Sequence, residues 1–464
     1  MAKIFSSRLF KKKEYFFRSI QYGSWWYGAQ EGFRQGCFEW NGNKPSDHFP
    51  QTLEYVYKKT GFPIIAHNKF WDIKTVYAKK NGGSYDFILD SFTGKSLPDD
   101  QKFWDDLFLN GTKWGLKTYE QDWMNHQNLD FTPLMTDISL GRRWLNQMGN
   151  AAAKFKLTIQ YSMSLSRHVL QSLENDAVTQ IRVTNDYSTN WDLGGEQWRV
   201  GVSSILSSAV GLMPFKDVYC TTPNQPNDPY GNGIFNSNIW LDSVVSILTA
   251  GPVGLGDKIE YLRQTLIIRS CNDEGLLLKP SKPVTALDIQ IHNRALGAAY
   301  GPDGEVWSTY STISNYTFGI IFAADIKNNY NLKPEQMGFK IKENKSYFWL
   351  DGNSNGFKDL KEISLTSNCT KKDFCLFHVT PNFWLKRNEI VLFGEKAKWI
   401  PISPQRVSNI RLEIDSLQVD LSGVPDEKVI FYFAINLALQ KVECNFKDTK
   451  MTLKITDKLE VSCD

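Results

Sequence analysis

The chain has 464 residues, of which 42% are hydrophobic, so it can build the cores of one barrel-sized domain and one smaller domain. Its net charge is only +3, and its one basic run, Lys11–Lys13, is followed at once by Glu14, which argues against nucleic-acid binding. The longest apolar stretches are broken by Gly and Pro and fall short of the ~20 residues that a membrane-spanning helix needs, so no membrane insertion is expected.

From about residue 18 to about residue 300, short β-rich runs alternate with stretches that have the apolar period of a helix. Strands are predicted at Ser19–Trp25, Phe62–His67, Leu116–Asp122, Leu157–Met163, Thr179–Asp186, Val210–Met213 and Val244–Ala250. Helices are predicted between them, at Pro50–Thr60, Leu140–Phe155, Ser166–Glu174 and Glu196–Ser208. Repeated β-α units imply parallel strands with right-handed crossovers, and therefore a barrel or an open doubly wound sheet.

Beyond about residue 305 the apolar period changes to two, which is typical of antiparallel strands. These strands are predicted within Phe339–Leu350, Phe374–Val379, Glu389–Phe393, Asn409–Val419, Val429–Leu437 and Thr452–Val461. We therefore predict a lead segment over residues 1–18, a (β/α) barrel domain over residues 19–304 and an antiparallel β domain over residues 305–464.

Two carboxylates stand at the ends of predicted strands, Asp122 and Asp186. Residues at the carboxyl ends of barrel strands converge on one face, so two Asp residues there can flank one glycosidic bond. A single Asp in such a place is more often a helix cap or a solvated loop residue. The aromatic and polar neighbours of Asp122 suit a sugar ring, however, and Arg182 lies on the same strand face as Asp186.

Four ordered runs carry a family resemblance: Tyr161–His168, Arg182–Asp186, Leu212–Asp217 and Thr249–Asp257. They are similar to the later barrel segments of the α-galactosidase and raffinose-synthase group of retaining glycoside hydrolases, over roughly residues 20 to 290. Gly115–Asp122 also resembles the fourth barrel strand of that group, whose last Asp is the nucleophile, and Asp186 matches the acid/base Asp. The resemblance implies a (β/α)8 TIM-type barrel followed by a C-terminal antiparallel β-sandwich.

The resemblance also implies hydrolysis of O-glycosyl bonds by double displacement, with Asp122 as the nucleophile and Asp186 as the acid/base. The two carboxyl groups are then expected about 5 to 5.5 Å apart. Candidates for contact with the sugar are Trp25, Trp26, His67, Asn68, Trp71, Glu120, Ser162, Arg182 and Trp191. No cofactor and no metal are expected, and the expected partner is a carbohydrate.

The sequence departs from the group at two positions that the group uses to bind sugar. Glu120 stands where the group typically carries a Lys, so galactose specificity does not follow from the resemblance. Gly23 or Ser24 stands where the second strand usually supplies an acidic residue. A glycosyl-transferring relative and an inactive carbohydrate-binding or scaffold protein therefore remain as alternatives.

The first barrel strand of the group has no counterpart unless Lys3–Phe10 supplies it. We therefore expect an N-terminally truncated form that is poorly soluble and inactive when it is expressed alone, because an incomplete barrel leaves strand edges unpaired.

Two features bear on the compartment. Asn-x-Ser/Thr acceptors occur at Asn110, Asn315, Asn344 and Asn368, and the cysteines include the closely spaced pairs Cys369/Cys375 and Cys444/Cys463. The N-terminus lacks the apolar core of a secretory signal. Together these features favour a secreted or lysosomal protein whose leader is missing.

Two motifs are weaker. The run Asp351–Glu362 has the spacing of a calcium-binding loop, but its strand-like flanks and Lys358 favour a Gly/Asn-rich hairpin. Gly251, Gly254 and Gly256 lack a nucleotide-binding spacing, so they predict a strand-to-helix turn.

Overall fold

The computed structural model describes residues 18–23, 26–27, 36–46, 49–187, 197–223, 238–297, 301–342, 345–352 and 356–464. The chain forms two compact units. The first comprises residues 1–183 and 206–214, and the second comprises residues 184–205 and 215–464. The domain boundaries predicted at residues 18 and 304 stay a prediction. Within the described ranges, no helix is both long enough and apolar enough to cross a membrane.

Strands and helices alternate in the first unit. Its strands are β1 (Ile20–Tyr22), β2 (Ile64–Asn68), β3 (Trp71–Asp72), β4 (Phe87–Asp90), β5 (Lys95–Pro98), β6 (Leu116–Gln121), β7 (Thr158–Tyr161), β8 (Val178–Arg182) and β9 (Met213–Phe215). Its helices are α1 (Thr52–Thr60), α2 (Gln101–Lys113), α3 (Met124–Leu129), α4 (Thr132–Thr136), α5 (Leu140–Lys154), α6 (Ser166–Gln171) and α7 (Ser203–Ala209). The ends of α7 and β9 extend into the second unit.

Six of these strands form one sheet in the order β1-β2-β6-β7-β8-β9, and the pairings from β1 to β8 are all parallel. A parallel sheet with a helix after most strands is the arrangement of a TIM-like barrel. Strands β3, β5 and β4 form a separate small sheet within the connection from β2 to α2. The parallel α/β class predicted from the sequence is therefore confirmed.

Helices α2 and α5 show why the sequence folds this way. Asp100 caps α2 by accepting a hydrogen bond from the Lys102 N–H, and the helix buries Trp104 and Phe108. Both rings pack against Tyr119 of β6, with ring centroids 5.9 and 5.1 Å apart. Helix α5 buries Trp144 and Met148 with the same helical period. The apolar faces of the helices thus cover one face of the sheet.

The second unit is mainly antiparallel β structure. Its helices are α8 (Ile239–Leu248), α9 (Gln264–Ile267) and α10 (Asp288–Leu296). Its strands are β10 (Thr285–Ala286), β11 (Glu305–Ile313), β12 (Tyr316–Ala324), β13 (Tyr330–Leu332), β14 (Ser346–Leu350), β15 (Lys358–Asp359), β16 (Ile363–Leu365), β17 (Cys375–Leu385), β18 (Asn388–Gly394), β19 (Val407–Leu412), β20 (Ser416–Ser422), β21 (Lys428–Ile435), β22 (Ala438–Asn445), β23 (Lys450–Thr456) and β24 (Val461–Cys463).

A nine-stranded sheet and a four-stranded sheet enclose the main apolar core of this unit. The larger sheet contributes residues such as Phe383 and Phe431, and the smaller one contributes Leu417 and Leu453. Two antiparallel sheets around one apolar layer form a β-sandwich. The predicted C-terminal β-sandwich is therefore confirmed.

Three strand predictions need correction. Val244–Ala250 is wrong as a strand, because its residues belong largely to helix α8, which is buried along most of its length. A helix that is apolar on all sides has no amphipathic period, so a short apolar run cannot distinguish it from a buried strand. Val210–Met213 overlaps β9 only at Met213, and Asn409–Val419 spans two strands, β19 and β20, rather than one.

The calcium-loop reading of Asp351–Glu362 receives no support. Both carboxylate oxygens of Asp351 accept hydrogen bonds from Arg269, at 2.9 and 2.8 Å. Strand β14 pairs antiparallel with β15, as a hairpin requires. Residues 353–355 lie outside the described residues, and the described ones contain no group of three or more His, Cys, Asp or Glu that could hold a metal ion.

A buried histidine makes the second unit sensitive to pH. His378 on β17 stacks on Trp349 with the ring centroids 4.3 Å apart. Burial, followed by the charges of Arg269 and Lys396, lowers the pKa of His378 from 6.5 to about 3. A histidine held neutral in the folded state contributes full stability above pH 6.5, and that contribution is lost as the pH falls towards 3.

We expect His378→Phe to reduce the acid sensitivity of the fold. From pH 7 to pH 4.5 the wild type should lose about 2 kcal/mol more of its free energy of unfolding than the variant, because each pKa unit is worth about 1.4 kcal/mol. Urea denaturation at the two pH values measures this difference. The exposed His292 provides the control, since His292→Gln should show no such difference. Equal acid sensitivity of wild type and His378→Phe would contradict the prediction.

Candidate active site

One face of the parallel sheet is lined with polar side chains that form hydrogen bonds from one strand to another. Gln21 donates to Glu120 at 2.8 Å, and the Thr118 and Thr158 hydroxyls lie 2.8 Å apart. Gln180 donates to Gln160 at 2.6 Å. Side chains alternate along a strand, so the polar face consists of every second residue. Its members are Gln21, His67, Thr118, Glu120, Asp122, Thr158, Gln160, Ser162, Gln180 and Arg182.

The opposite face of the sheet contacts the helices. Tyr119 packs on α2, and its hydroxyl donates to Gln121 and accepts a hydrogen bond from the Asn68 amide at 2.7 Å. These three residues share a face because they alternate with His67, Glu120 and Asp122. The Asn68 side chain therefore belongs to the helix-facing layer, although the sequence analysis places it among the sugar contacts.

The parallel register aligns the carboxyl ends of neighbouring strands with one another. Asn68 pairs with Gln121, and Gln121 pairs with Tyr161. The main chain continues the ladder past the strand ends: the Asp122 N–H donates to the Asn68 carbonyl at 2.8 Å, and the Ser162 N–H donates to the Gln121 carbonyl at 3.0 Å. The last polar-face residues of β2, β6, β7 and β8 thus lie together at the carboxyl edge of the sheet.

Asp122 is the centre of this edge. Its side chain is 11% exposed; Oδ2 lies 3.0 Å from His67 Nε2, and Oδ1 lies 3.8 Å from the Arg182 guanidinium. Oδ1 also accepts a hydrogen bond at 2.8 Å from the N–H of Trp123, whose left-handed backbone turns the chain from β6 into α3. Burial alone would raise the pKa of the Asp122 carboxyl. His67, Arg182 and the Trp123 N–H outweigh burial and lower that pKa from 3.8 to about 2. Asp122 is therefore an ionised carboxylate at any physiological pH.

The structure brings together five of the residues that the sequence predicts for the site: His67, Glu120, Asp122, Ser162 and Arg182. Two of the predicted tryptophans lie elsewhere. Trp26 is 4% exposed and packs against Trp40 and Trp114. Trp71 is 2% exposed and packs against Phe103 and Tyr77. Both rings therefore belong to the aromatic core of the first unit.

The remaining predicted residues are not tested in the same way. Trp25 and Trp191 lie outside the described residues. Asp186 is exposed, lies in the second unit and follows the end of β8; its backbone carbonyl accepts a hydrogen bond from the Gln197 side chain. The expected separation of 5 to 5.5 Å between the Asp122 and Asp186 carboxyl groups stays a prediction.

The sequence reasoning missed Gln21, Tyr27, Gln160 and Gln180. The Tyr27 hydroxyl lies 3.1 Å from His67 Nδ1, a contact between distant parts of the sequence. The three glutamines had a readable signal, because they occupy every second position of their strands in phase with Glu120 and Arg182. Polar residues at alternate positions in several parallel strands indicate a polar barrel interior.

One surface groove of the described residues is lined by other side chains. It has a volume of about 560 Å³ and is lined by Ile88–Phe92 and by residues between Thr132 and Leu140. Its carboxylates serve local structure: Asp90 accepts hydrogen bonds from the Phe92 and Thr132 N–H groups, and Asp137 accepts them from Ser139. We place the site at Asp122, because its carboxylate is buried, charged and surrounded by polar groups.

No protein-family profile matches the sequence, and no curated protein is significantly similar to it. Solved structures do match. A glycoside hydrolase family 27 β-L-arabinopyranosidase from Geobacillus stearothermophilus superposes with a TM-score of 0.53 and 13% identity, over 78% of this chain and 88% of that enzyme.

Two further solved structures are more distant. A variant of the same enzyme in complex with arabinose gives a TM-score of 0.49 at 12% identity, over 79% and 89% of the two chains. A trehalose-6-phosphate hydrolase from Bacillus licheniformis gives a TM-score of 0.43 at 9% identity, over 78% and 92%. At these identities the likeness to the arabinopyranosidase establishes a shared fold. The resemblance to the α-galactosidase group is thus confirmed at the level of the fold.

The charge environment of Asp122 predicts its contribution to stability. A carboxyl whose pKa falls from 3.8 to about 2 on folding stabilises the protein above pH 3.8 and loses that effect as the pH falls towards 2. We expect Asp122→Asn to lower the free energy of unfolding by about 2 kcal/mol at pH 6.5, and by less near pH 3. Urea denaturation at both pH values is the measurement.

Asp86 provides the matched control, because it pairs with Lys79 at 2.7 Å on the surface of the same unit. Asp86→Asn should cost less than about 1 kcal/mol at either pH. A stability of Asp122→Asn equal to that of the wild type at pH 6.5 would show that the buried carboxylate is not stabilised by its neighbours.

Proposed function

We propose that this chain is a retaining glycoside hydrolase with Asp122 as the nucleophile and Asp186 as the acid/base. The observation that supports the proposal best is the ionised Asp122 carboxylate at the carboxyl edge of the polar face. Substrates of parallel barrels bind at this edge, and a carboxylate that stays ionised there can attack an anomeric carbon. The shared fold with a family 27 glycoside hydrolase is consistent with this chemistry.

The proposed reaction has two displacements. In the first, an Asp122 oxygen bonds to the anomeric carbon, the bond to the leaving oxygen breaks, and Asp186 gives that oxygen its proton. In the second, Asp186 takes a proton from water, the water oxygen bonds to the anomeric carbon, and the electron pair of the ester bond returns to Asp122. Two inversions retain the configuration. The role of Asp186 rests on the resemblance of Arg182–Asp186 to the segment that carries the acid/base Asp in the α-galactosidase group.

The polar face suits a sugar as the substrate. The Ser162 hydroxyl is buried beside Asp122's strand and forms no hydrogen bond with any described residue, so its hydrogen-bonding capacity is unused. Glu120 is buried and accepts a hydrogen bond from Gln21. A carboxylate at this position accepts hydrogen bonds where the lysine of the α-galactosidase group donates them. We therefore propose an α-glycoside as the substrate and do not assign galactose.

Substitution of the two aspartates tests the proposal. Asp122→Asn should lower turnover of an aryl α-glycoside by a factor on the order of 10³ or more, because an amide in place of the carboxylate is a poor nucleophile. Asp186→Ala should lose about 10²- to 10⁴-fold on glycosides with poor leaving groups and much less on dinitrophenyl glycosides, which leave without protonation. Asp86→Asn is the control. Equal losses of Asp186→Ala on both substrate classes would contradict its role as the acid.

We also infer that the protein matures in a secretory or lysosomal compartment. Cys369 is bonded to Cys375, and Cys444 is bonded to Cys463. Disulfides of this kind persist in oxidising compartments. Asn315 and Asn368 are exposed in turns, which suits N-glycosylation. Asn110, by contrast, is only partly exposed within α2 and accepts a hydrogen bond from Asn43.

Expression through a eukaryotic secretory pathway should therefore yield a protein with glycans on Asn315 and Asn368 and none on Asn110. Peptide mass spectrometry after enzymatic deglycosylation identifies the modified asparagines. Asn315→Gln and Asn368→Gln should each remove one glycan. Asn110→Gln should leave the total mass of the attached glycans unchanged. A secreted product without glycans at either turn would contradict the inference.

A further inference from the structure

Both ring nitrogens of His67 are occupied by protein groups. Nε2 lies 3.0 Å from Asp122 Oδ2, and Nδ1 lies 3.1 Å from the Tyr27 hydroxyl. The Tyr27 ring also stacks on the imidazole with an interplanar angle of 10°. All three residues are buried, with whole-residue exposures of 6% for Tyr27, 6% for His67 and 8% for Asp122. No ring nitrogen of His67 remains to bind a sugar hydroxyl.

The ionisation states of Asp122 and Tyr27 constrain which groups donate these two hydrogen bonds. Asp122 is ionised, and a carboxylate only accepts hydrogen bonds, so the proton lies on His67 Nε2. Nδ1 lies 3.1 Å from the Tyr27 hydroxyl, which donates to Nδ1 when the imidazole is neutral and accepts from it when the imidazole is charged. Burial raises the pKa of Tyr27 well above its usual value, so this hydroxyl keeps its proton. With either direction at Tyr27, the His67 Nε2–H donates to Asp122.

We propose that His67, anchored by Tyr27, is a positioning residue for the Asp122 carboxylate and stabilises it as the leaving group of the second displacement. This inference rests on the proposed function, in which Asp122 forms an ester with the sugar. It changes the role of His67, which the sequence analysis assigns to sugar binding.

The proposal follows from how charge moves in the two steps. During the first displacement Asp122 loses negative charge, so the hydrogen bond from His67 Nε2 to Oδ2 weakens and does not assist the attack. During the second displacement the carbon–oxygen bond of the ester breaks and its electron pair returns to the carboxylate. A donor already in place at Oδ2 stabilises the charge that develops there. His67 thus assists the second displacement, which releases the sugar from Asp122, more than the first, which forms the ester.

The contacts of the two Asp122 carboxylate oxygens agree with a role of His67 in the second displacement. In the described part of the chain Oδ1 faces both the Trp123 N–H and the Arg182 guanidinium, whereas the contact at Oδ2 is with His67. Each carboxylate oxygen can accept two hydrogen bonds, so Oδ2 keeps a lone pair for the anomeric carbon while it remains bonded to His67.

Kinetics on a dinitrophenyl α-glycoside test the proposal, because its second displacement limits kcat. We expect His67→Leu to lower kcat about tenfold or more, the factor that one pKa unit of lost stabilisation is worth. KM should fall with it, while kcat/KM, which reports the first displacement, should change much less. The ester should accumulate as a burst of dinitrophenol and as a covalent adduct in the mass of the intact protein.

Three further variants control for folding. His67→Gln keeps an amide N–H near the position of Nε2 and should retain much of the wild-type kcat. Tyr27→Phe removes only the anchor and should lower kcat in the same direction but less. His168→Gln replaces another buried histidine of this unit, one that accepts a hydrogen bond from the Leu165 N–H, and should leave the kinetics unchanged.

A measurement that needs no catalytic turnover tests the role of His67 independently of the proposed function. Carbon-13 NMR of the aspartate carboxyl groups, with Asp122→Asn for assignment, gives the pKa of Asp122 directly. We expect it to rise by at least about one unit in His67→Leu, because burial is then opposed by fewer groups. If the pKa of Asp122 rises in His67→Leu but the wild type cleaves no glycoside, the proposed function is rejected and the positioning role of His67 is retained. An unchanged pKa, or equal losses in kcat and kcat/KM, would overturn the role of His67.

Discussion

The first unit depends on one interaction: the neighbours of Asp122 stabilise the charge of its buried carboxylate. Moving a carboxylate out of water costs several kcal/mol, and the folded chain recovers this cost only where donors and cations stand close to the oxygens. His67 and the Trp123 N–H supply hydrogen bonds, and Arg182 supplies a positive charge at 3.8 Å. These groups come from three different strand ends, so the charge constrains the register of the whole sheet edge.

The same constraint explains the composition of the two sheet faces. The interior of a small barrel is usually filled with apolar side chains. Here the face of the parallel sheet that points away from the helices carries hydrogen-bonded pairs such as Gln21 with Glu120 and Gln160 with Gln180. Each pair satisfies polar atoms that would otherwise be buried without partners. The apolar burial that stabilises the unit therefore lies on the opposite face, where Tyr119 meets the aromatic residues of α2.

The second unit also builds its interior around a paired charge. The Arg406 guanidinium is 1% exposed and contacts both Glu395 and Glu427. Removing one partner of such a buried group leaves an uncompensated charge and costs about 3–5 kcal/mol. Unlike Asp122, Arg406 has a carboxylate on each side and lies within the β-sandwich.

The sequence alone predicted the parallel α/β class, a C-terminal antiparallel β domain and the strand end at Asp122, because these depend on local hydrophobic period and on spacing along the chain. The β-sandwich was implied by the family resemblance. It failed at Val244–Ala250, where a buried helix has no amphipathic period, and it assigned Asn68, Trp26 and Trp71 to the pocket because they follow strands or lie near their ends. Only the tertiary structure decided which side of the strand each residue faces and which distant groups meet. The contact from Tyr27 to His67 and the approach of Arg182 to Asp122 join segments 40 and 60 residues apart, and no local pattern encodes such contacts. The pKa of Asp122 therefore belongs to the fold, since it results from charges and burial that exist only when the strands are side by side.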